Sequence, residues 1–262
     1  MAGDVWVSGD AYEPYVGRWS RPVATEFVRW LDPLPDGRWV DIGCGTGAVT
    51  ESVLREGSPG MVVCLDRSAG YVAGARARVA DARARFLLGA ADAIPLGDRT
   101  ADAVVSGLVL NFIPDTAAAV AEMARVTRSG GVVAAYVWDY ATGMQMMRHF
   151  WDAAGALDPR ARELDEGERF PLCRPDALTA LFEGARLSGV RVRAIDVPTR
   201  FRDFEDYWAP FLGGQGPAPG YAMALDEPRR LALRERIRAG LPYASDGSIP
   251  LTARAWAVFG RI

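Results

Sequence analysis

The run Val40-Asp41-Ile42-Gly43-Cys44-Gly45-Thr46-Gly47 sets a carboxylate ahead of three alternate glycines. Glycines at this spacing reach positive φ and let a ligand approach bare backbone where a Cβ would collide. Two more acids, Asp66 and Asp92, each follow an apolar run. A carboxylate at a strand end can accept both hydroxyls of a ribose. Gly43, Gly45 and Ala48 also satisfy the dinucleotide pattern GxGxxG/A, so a nicotinamide-dependent oxidoreductase stays open as a reading. Beside Asp41, however, a pyrophosphate would be repelled and an ammonium or sulfonium welcomed. Any one of these acids could simply cap a helix or turn. Three at successive strand ends converge on the crevice where open α/β sheets bind ligands.

The elements that must position them follow from hydrophobic pattern. Arg38 to Ile42, Met61 to Leu65, Arg85 to Leu88 and Ala103 to Val109 read as short strands, and Val132 to Trp138 as a fifth, entered by a turn at Gly130-Gly131. Between them lie a helix from Gly47 to Arg55 ended by Gly57, one capped by Ser68, and one capped by Asp115. Strands apolar on both faces and separated by helices predict a parallel sheet covered on both sides. Ahead of it, a helix starts near Ser20 and Pro22, buries Val23, Phe27, Trp30 and Leu31, and stops at Pro33 and Pro35. Beyond the fifth strand come a helix from near Gly143 to Leu157 and another from Pro175 to about Arg186. Val190 to Val197 alternates like an edge strand, with Arg191 and Arg193 on the wet face, and Leu251 to Phe259 closes the chain. The stretch 202–248 is too long for a connector and reads as a cap inserted between the last two strands.

A net charge of -3 argues against a nucleic-acid groove. All 30 basic residues are Arg. The three cysteines lack CxxC spacing and the first ten residues lack a secretory pattern, so reduced thiols in the cytosol are expected. The longest apolar stretch is too short to span a bilayer, and no membrane partner is expected.

The chain resembles a class I S-adenosylmethionine-dependent methyltransferase of the type 11 group, akin to ubiquinone/menaquinone biosynthesis C-methyltransferases. The residues that carry the resemblance are Val40 to Gly47, Leu65-Asp-Arg-Ser68, Ala91-Asp-Ala-Ile-Pro-Leu96, Val109-Leu-Asn-Phe-Ile-Pro-Asp115 and Arg125-Val-Thr-Arg-Ser-Gly-Gly131. They cover roughly 38–139. Tyr12-Glu-Pro-Tyr-Val-Gly-Arg-Trp-Ser-Arg21 also resembles a bacterial branch of that group, but it departs from the N-terminal signature of the quinone enzymes, so a quinone substrate is not carried over.

The resemblance implies one α/β domain over 1–262. Its fold would be Rossmann-like, with a seven-stranded, mostly parallel sheet and an antiparallel last strand. Helices would cover both faces and a helical cap the strand carboxyl ends. Its parts would be a lid and helix (1–37), a cofactor core (38–139), a helical segment (140–188) and the cap insertion. The implied cofactor is S-adenosyl-L-methionine. Gly43, Cys44, Gly45 and Gly47 would line its methionine end, with Asp41 near the ammonium. Asp66 would hold the ribose and Arg67 flank the adenine, while Asp92 and the amide of Ala93 would meet the adenine edge. Leu108 to Asn111 would pass beside the methionine. Tyr15 and Arg18 would fold over the cofactor, Arg18 pairing with its carboxylate; an exposed Arg leading into a helix is the alternative.

Methyl transfer from a sulfonium is an in-line displacement that asks for positioning and exclusion of water, not for a nucleophilic side chain. A carboxylate acceptor needs no base, whereas a phenol or activated carbon gains from one. The candidates are His149, the sole histidine, with Asp139 and Tyr140 at the end of the fifth strand. A packing or surface residue is the plainer reading of His149. Met144, Met146 and Met147 fill core or line an adaptable pocket. Aromatics such as Tyr12, Trp19, Trp151, Tyr207 and Trp208 fit an apolar or planar small acceptor, and the glycines at 213–220 a moving lid. A non-catalytic protein that only binds the cofactor would share the first half of this pattern.

Overall fold

Seven strands form one sheet in the order β3-β2-β1-β4-β5-β7-β6 in the computed structural model, which describes residues 13–32, 35–214 and 216–262. Tyr12 and Pro33, invoked above, lie outside the described residues. The strands are β1 (Arg38–Ile42), β2 (Met61–Asp66), β3 (Ala84–Leu88), β4 (Ala101–Gly107), β5 (Thr127–Trp138), β6 (Ser188–Phe201) and β7 (Ile249–Arg261). Val40, Ile42, Val62, Val104 and Val105 are sealed from solvent, which is why these strands read as unbroken apolar runs. β1, β2, β3, β4 and β5 pair in parallel, and Asp41 stands opposite both Cys64 and Val105.

β7 runs the other way. Gly130 N–H donates to the Ile262 carbonyl at 2.9 Å, while just past the end of β5 Asp139 N–H donates to the Arg254 carbonyl at 2.9 Å. On its other edge, Ser188 donates to the Arg261 carbonyl at 3.1 Å and Arg254 pairs with Asp196 at 2.7 Å. The expected antiparallel last strand is therefore present. β6 lies at the sheet edge, with Arg191 and Arg193 exposed, as the alternation requires.

Several boundaries differ from the sequence reading, and two of them have a cause in the backbone. β4 ends at Gly107 because Leu108 turns to φ 61°, a left-handed conformation that stops pairing. β5 begins at Thr127, so Gly130-Gly131 interrupts the strand as an irregularity and does not precede it. The register jumps from Ala101↔Thr127 to Ala103↔Val132, and Gly130 at φ 75° takes up the surplus residues.

The contacts divide the chain into two units. The first comprises Ser20–Val137, Leu172–Ile195 and Ala255–Ile262. Its helices are α1 (Arg18–Trp30, from Ser20 on), α2 (Ala48–Glu56), α3 (Ala69–Arg78), α4 (Thr116–Val126) and α6 (Pro175–Gly184). α1 buries Val23, Ala24, Phe27 and Val28, and Phe27 packs on Tyr136 with centroids 4.8 Å apart. Ser68 and Asp115 cap α3 and α4 as expected, accepting the amide hydrogens of Tyr71 and Ala118.

The second unit holds the segment ending at Trp19 together with Trp138–Pro171 and Asp196–Arg254. It contains α5 (Gln145–Leu157), a single turn at Glu166–Arg169, α7 (Phe204–Trp208), α8 (Pro217–Ala224) and α9 (Glu227–Gly240). The stretch 202–248 thus folds into helices of its own. The core of this unit is aromatic: Tyr15, Phe150, Trp151, Tyr207 and Phe211 are all buried.

Candidate functional site

The carboxyl ends of β1, β2 and β4 bring four of the expected groups together within the first unit. Asp41, the fourth residue of β1, is fully buried. Its Oδ2 accepts the hydroxyl hydrogen of Thr50, on the first turns of α2, at 2.7 Å. Its Oδ1 is buried with no partner. Burial pushes the Asp41 carboxyl up to about 7; the charge of Asp66 adds to the rise and Thr50 opposes it. Asp41 is therefore enclosed, with one oxygen engaged by α2 and the other unpaired.

The three glycines answer to different constraints. A Cβ on Gly43 would lie 2.6 Å from the Val109 methyl carbons, and one on Gly47 would lie 3.0 Å from Val79. Those two positions are bare because the protein itself packs against them. A Cβ on Gly45 would meet nothing nearer than the Gly43 carbonyl at 3.9 Å, so only here does the bare backbone face open space. The amides of Gly43 and Cys44 both donate to the Leu65 carbonyl, at 2.7 and 2.9 Å, and tie the turn to the end of β2. The Cys44 thiol is held protonated by burial and by the neighbouring acids.

Asp66 ends β2 and is mostly buried. Its Oδ2 accepts Gly45 N–H at 3.0 Å and its Oδ1 accepts Ser68 N–H at 2.8 Å. Both oxygens that the sequence assigned to a ribose are thus engaged by backbone. Arg67 is exposed. Leu88 of β3 is opposite Asp66, and Gly89 N–H donates to the Asp66 carbonyl at 3.0 Å, so the turn bearing Asp92 leaves the sheet beside Asp66. Asp92 and Ala93 are exposed, and the Ala93 amide points to the Ala90 carbonyl at 3.3 Å.

At the exit of β4, Leu108 N–H donates to the Tyr136 carbonyl at 2.8 Å. Asn111 follows in a 3-10 turn, Leu110–Phe112, with both carboxamide atoms buried and unpartnered. Buried polar atoms are rarely left unpaired, so orphans at Asp41 and Asn111 mark places where a ligand group would be satisfied.

Sequence reasoning missed three supports. Thr50 orients Asp41. Glu122 accepts Ile94 N–H at 2.9 Å, and Arg125 donates to the Ile94 and Leu96 carbonyls at 3.0 Å each, so α4 pins the loop that carries Asp92. Arg125 stands in a quoted motif, but nothing in its spacing showed what it would hold.

The remaining candidates lie in the second unit. Asp139 is buried, and both oxygens cap its own turn by accepting Thr142 N–H at 3.0 Å and Thr142 Oγ1–H at 2.7 Å. Tyr140 packs 5.5 Å from Phe170. His149 is half-buried on α5, and burial holds its imidazole below the ordinary range. Tyr15 is buried with an unpartnered hydroxyl. Arg18 stacks 4.2 Å over Trp19 and 4.6 Å over Phe201 and pairs with Asp206 at 3.3 Å, yet its Nε and Nη2 are buried without partners. Met144, Met146 and Met147 are all buried. Sequence reasoning also passed over Glu166, buried in the turn after α5, which accepts the indole N–H of Trp151. Among the described residues no His, Cys, Asp and Glu gather as a metal site, and no helix is long and apolar enough to cross a membrane.

Residues 40–135 match the family described as a methyltransferase domain, so the stretch that carries the glycine turn, Asp66 and Asp92 has that family's pattern. The chain is similar to the demethylmenaquinone methyltransferase of Roseiflexus castenholzii, 38% identical over 110 residues, which span 42% of this chain and 46% of that protein. The chain thus spans about half the length of the curated relative it matches. Among solved structures it is similar to the YcgJ protein of Bacillus subtilis, with TM-score 0.59 and 15% identity over 92% of this chain and 98% of the other. It is also similar to the [4+2]-cyclase SpnF, with TM-score 0.54 and 19% identity over 92% of this chain and 81% of the other. Identities this low speak to the fold alone.

Proposed function

We propose that the protein transfers a methyl group from S-adenosyl-L-methionine to a small, apolar or aromatic acceptor. The observation that carries the reading is the pairing of an unpartnered, buried Asp41 oxygen with the open face of Gly45. A cationic amino-acid end laid on that face would be attracted by the Asp41 carboxylate, with no Cβ in the way. The unpaired Asn111 carboxamide offers the same end a donor and an acceptor. Asp66 would exchange its bond from Gly45 N–H for the ribose hydroxyls, and the free Asp92 carboxylate would take the adenine amine. Arg67 and Ala93 complete the adenine side. The buried Nε and Nη2 of Arg18 form a donor pair suited to a carboxylate, and Tyr15 supplies a hydroxyl beside it in sequence.

The bound cofactor would supply an electrophilic methyl on sulfur. The chain's own work is to hold the acceptor in line with that methyl and to keep water out. Asp139 spends both oxygens on its turn, which leaves His149 and Tyr140 as the proton acceptors among those considered. Burial keeps His149 neutral near pH 7, the form a base requires. The net negative charge supports a small-molecule partner over nucleic acid, and the three free cysteines support a cytosolic setting.

Calorimetric titration with S-adenosylmethionine and, separately, with NAD tests the cofactor. Mass spectrometry of an acceptor panel after incubation tests the transfer. Binding of NAD alone would overturn the reading; cofactor binding with no mass gain of one methyl on any acceptor would reduce it to a binding protein.

A further inference from the structure

Beside Asp41 stands a hydroxyl with one hydrogen and two acceptors in reach. Thr50 Oγ1 lies 2.7 Å from Asp41 Oδ2 and 3.3 Å from Cys64 Sγ, and all three side chains are buried. Beyond them the Cys64 thiol donates to the Val62 carbonyl at 3.8 Å. β1 sets Asp41 opposite Cys64 on β2, and Thr50 comes from the first turn of α2, so three elements of the first unit fix this chain of contacts. Asp41 Oδ1 takes no part in it and has no partner.

A hydroxyl donates one hydrogen at a time, so Thr50 serves the carboxylate or the thiol but not both. With Asp41 charged, that hydrogen belongs on Oδ2, because a bond to an ionised acceptor is the stronger one. With Asp41 neutral, its own proton on Oδ2 is donated to Thr50 Oγ1. The Thr50 hydrogen is then freed for Cys64 Sγ, while the thiol hydrogen goes to the Val62 carbonyl. Both charge states of the buried acid are met by one turn of a hydroxyl, with no backbone change.

We propose that Thr50 is a positioning residue whose hydroxyl turns from Cys64 to Asp41 as the cofactor's ammonium group arrives and Asp41 releases a proton to solvent. The inference rests on the methyltransferase reading, which sets that ammonium group near Asp41, and adds how the site changes charge on filling. One proton leaves Asp41 for water, one O–H rotates, and no other covalent bond changes.

The groups that face Asp41 fit this sequence of events. Burial pushes its carboxyl up to about 7, Thr50 opposes through its hydroxyl and its amide, and Asp66 at the end of β2 adds to the rise. The Cys44 thiol on the turn is held protonated, and the Cys64 thiol on β2 is pushed up to about 12. Val105 of β4 stands opposite and brings no charge. The empty site thus holds mostly neutral acid at pH 6, and an ammonium group beside it draws the proton off.

The test uses the full chain and two thioethers, S-adenosylhomocysteine and 5′-methylthioadenosine, of which only the first carries the amino-acid end. Calorimetry in two buffers of different ionisation enthalpy reads the protons released on binding. S-adenosylhomocysteine is expected to release about one proton at pH 6 and about a quarter of one at pH 7.5, and 5′-methylthioadenosine none. Thr50→Val deletes the donor to the carboxylate. It should bind S-adenosylhomocysteine about tenfold more weakly at pH 7.5 and release close to one proton there, with 5′-methylthioadenosine affinity unchanged. Thr50→Ser should restore the original values. Cys64→Ala removes the acceptor on the other side and should act in the opposite sense, releasing less than the unaltered protein at pH 6, so it decides the matter should Thr50→Val fail to fold. No release by the unaltered protein at pH 6, equal weakening of both ligands in Thr50→Val, or unchanged release in the variants would overturn the proposal while S-adenosylhomocysteine still binds. Failure of the unaltered protein to bind S-adenosylhomocysteine or S-adenosylmethionine at all would instead remove the methyltransferase reading, and this inference with it.

Discussion

Gly45 gives its amide hydrogen to Asp66 Oδ2 across 3.0 Å, joining the turn after β1 to the last residue of β2. The contact fixes the one glycine whose face is open and occupies an oxygen expected to serve a ribose. Asp66→Ala removes this bond, the Ser68 bond and the ribose contact together. Hydrogen bonds to a charged group contribute about 1.5–3 kcal/mol each, so affinity for S-adenosylmethionine should fall tenfold or more on calorimetry. Unchanged affinity would count against Asp66 as a cofactor ligand.

Gly43 and Gly45 should respond differently to the same added methyl. Gly43→Ala drives a Cβ to 2.6 Å from Val109 and keeps a positive φ, so it should destabilise the fold by roughly 1–3 kcal/mol in a urea melt. Gly45→Ala meets only the φ 51° strain, about 1 kcal/mol, but places its methyl where the ligand would rest. It should lose cofactor affinity well beyond its loss of stability. Equal effects in both assays would mean that the open face is not a binding surface.

The stability of the ligand-free protein should carry an inverted pH signature from Asp41. Its folded carboxyl sits near 7, above the 3.8 of a free one, so the folded state binds the extra proton between those values. The stabilisation is complete below pH 4 and is lost as pH rises through 7. Asp41→Asn cannot ionise, so the melting temperature of wild type minus that of Asp41→Asn should fall from pH 5 to pH 8. Glu166 shifts in the same direction, which is why the difference is the informative quantity. A flat difference would show that Asp41 is charged in the folded protein.

Arg125 should matter to adenine recognition without touching the ligand. It bridges Glu122, Asp98 and the Ile94 and Leu96 carbonyls, and so braces the loop that begins at Asp92. Arg125→Met should weaken S-adenosylmethionine binding severalfold while adenine-free analogues of its amino-acid end lose little. Matched losses for both would place the effect elsewhere.

The sheet was readable because its strands are buried on both faces, and the helix starts because Ser68 and Asp115 declare themselves as caps. The end of β4 was not, since Leu108 turns at φ 61°, a conformation that leucine itself disfavours. The strand status of Gly130-Gly131 depends on bonds to β7, more than a hundred residues away. At the site, residue types and spacing located Asp41, Asp66 and the glycines. They did not show that Asp41 is enclosed, that Asp66 is spent on Gly45, or that only one glycine is open. Thr50, Arg125 and Glu166 escaped because their partners are tertiary.

The three cysteines Cys44, Cys64 and Cys173 are all buried, and the Cys64 thiol is pushed up to about 12. Enclosed as they are, none of them is open to a reagent, and the Cys44 and Cys64 thiols stay protonated at neutral pH. A cysteine introduced in place of exposed Ala93 would then be the single point of attack for a maleimide dye, and its emission would follow the adenine loop with no background labelling to subtract.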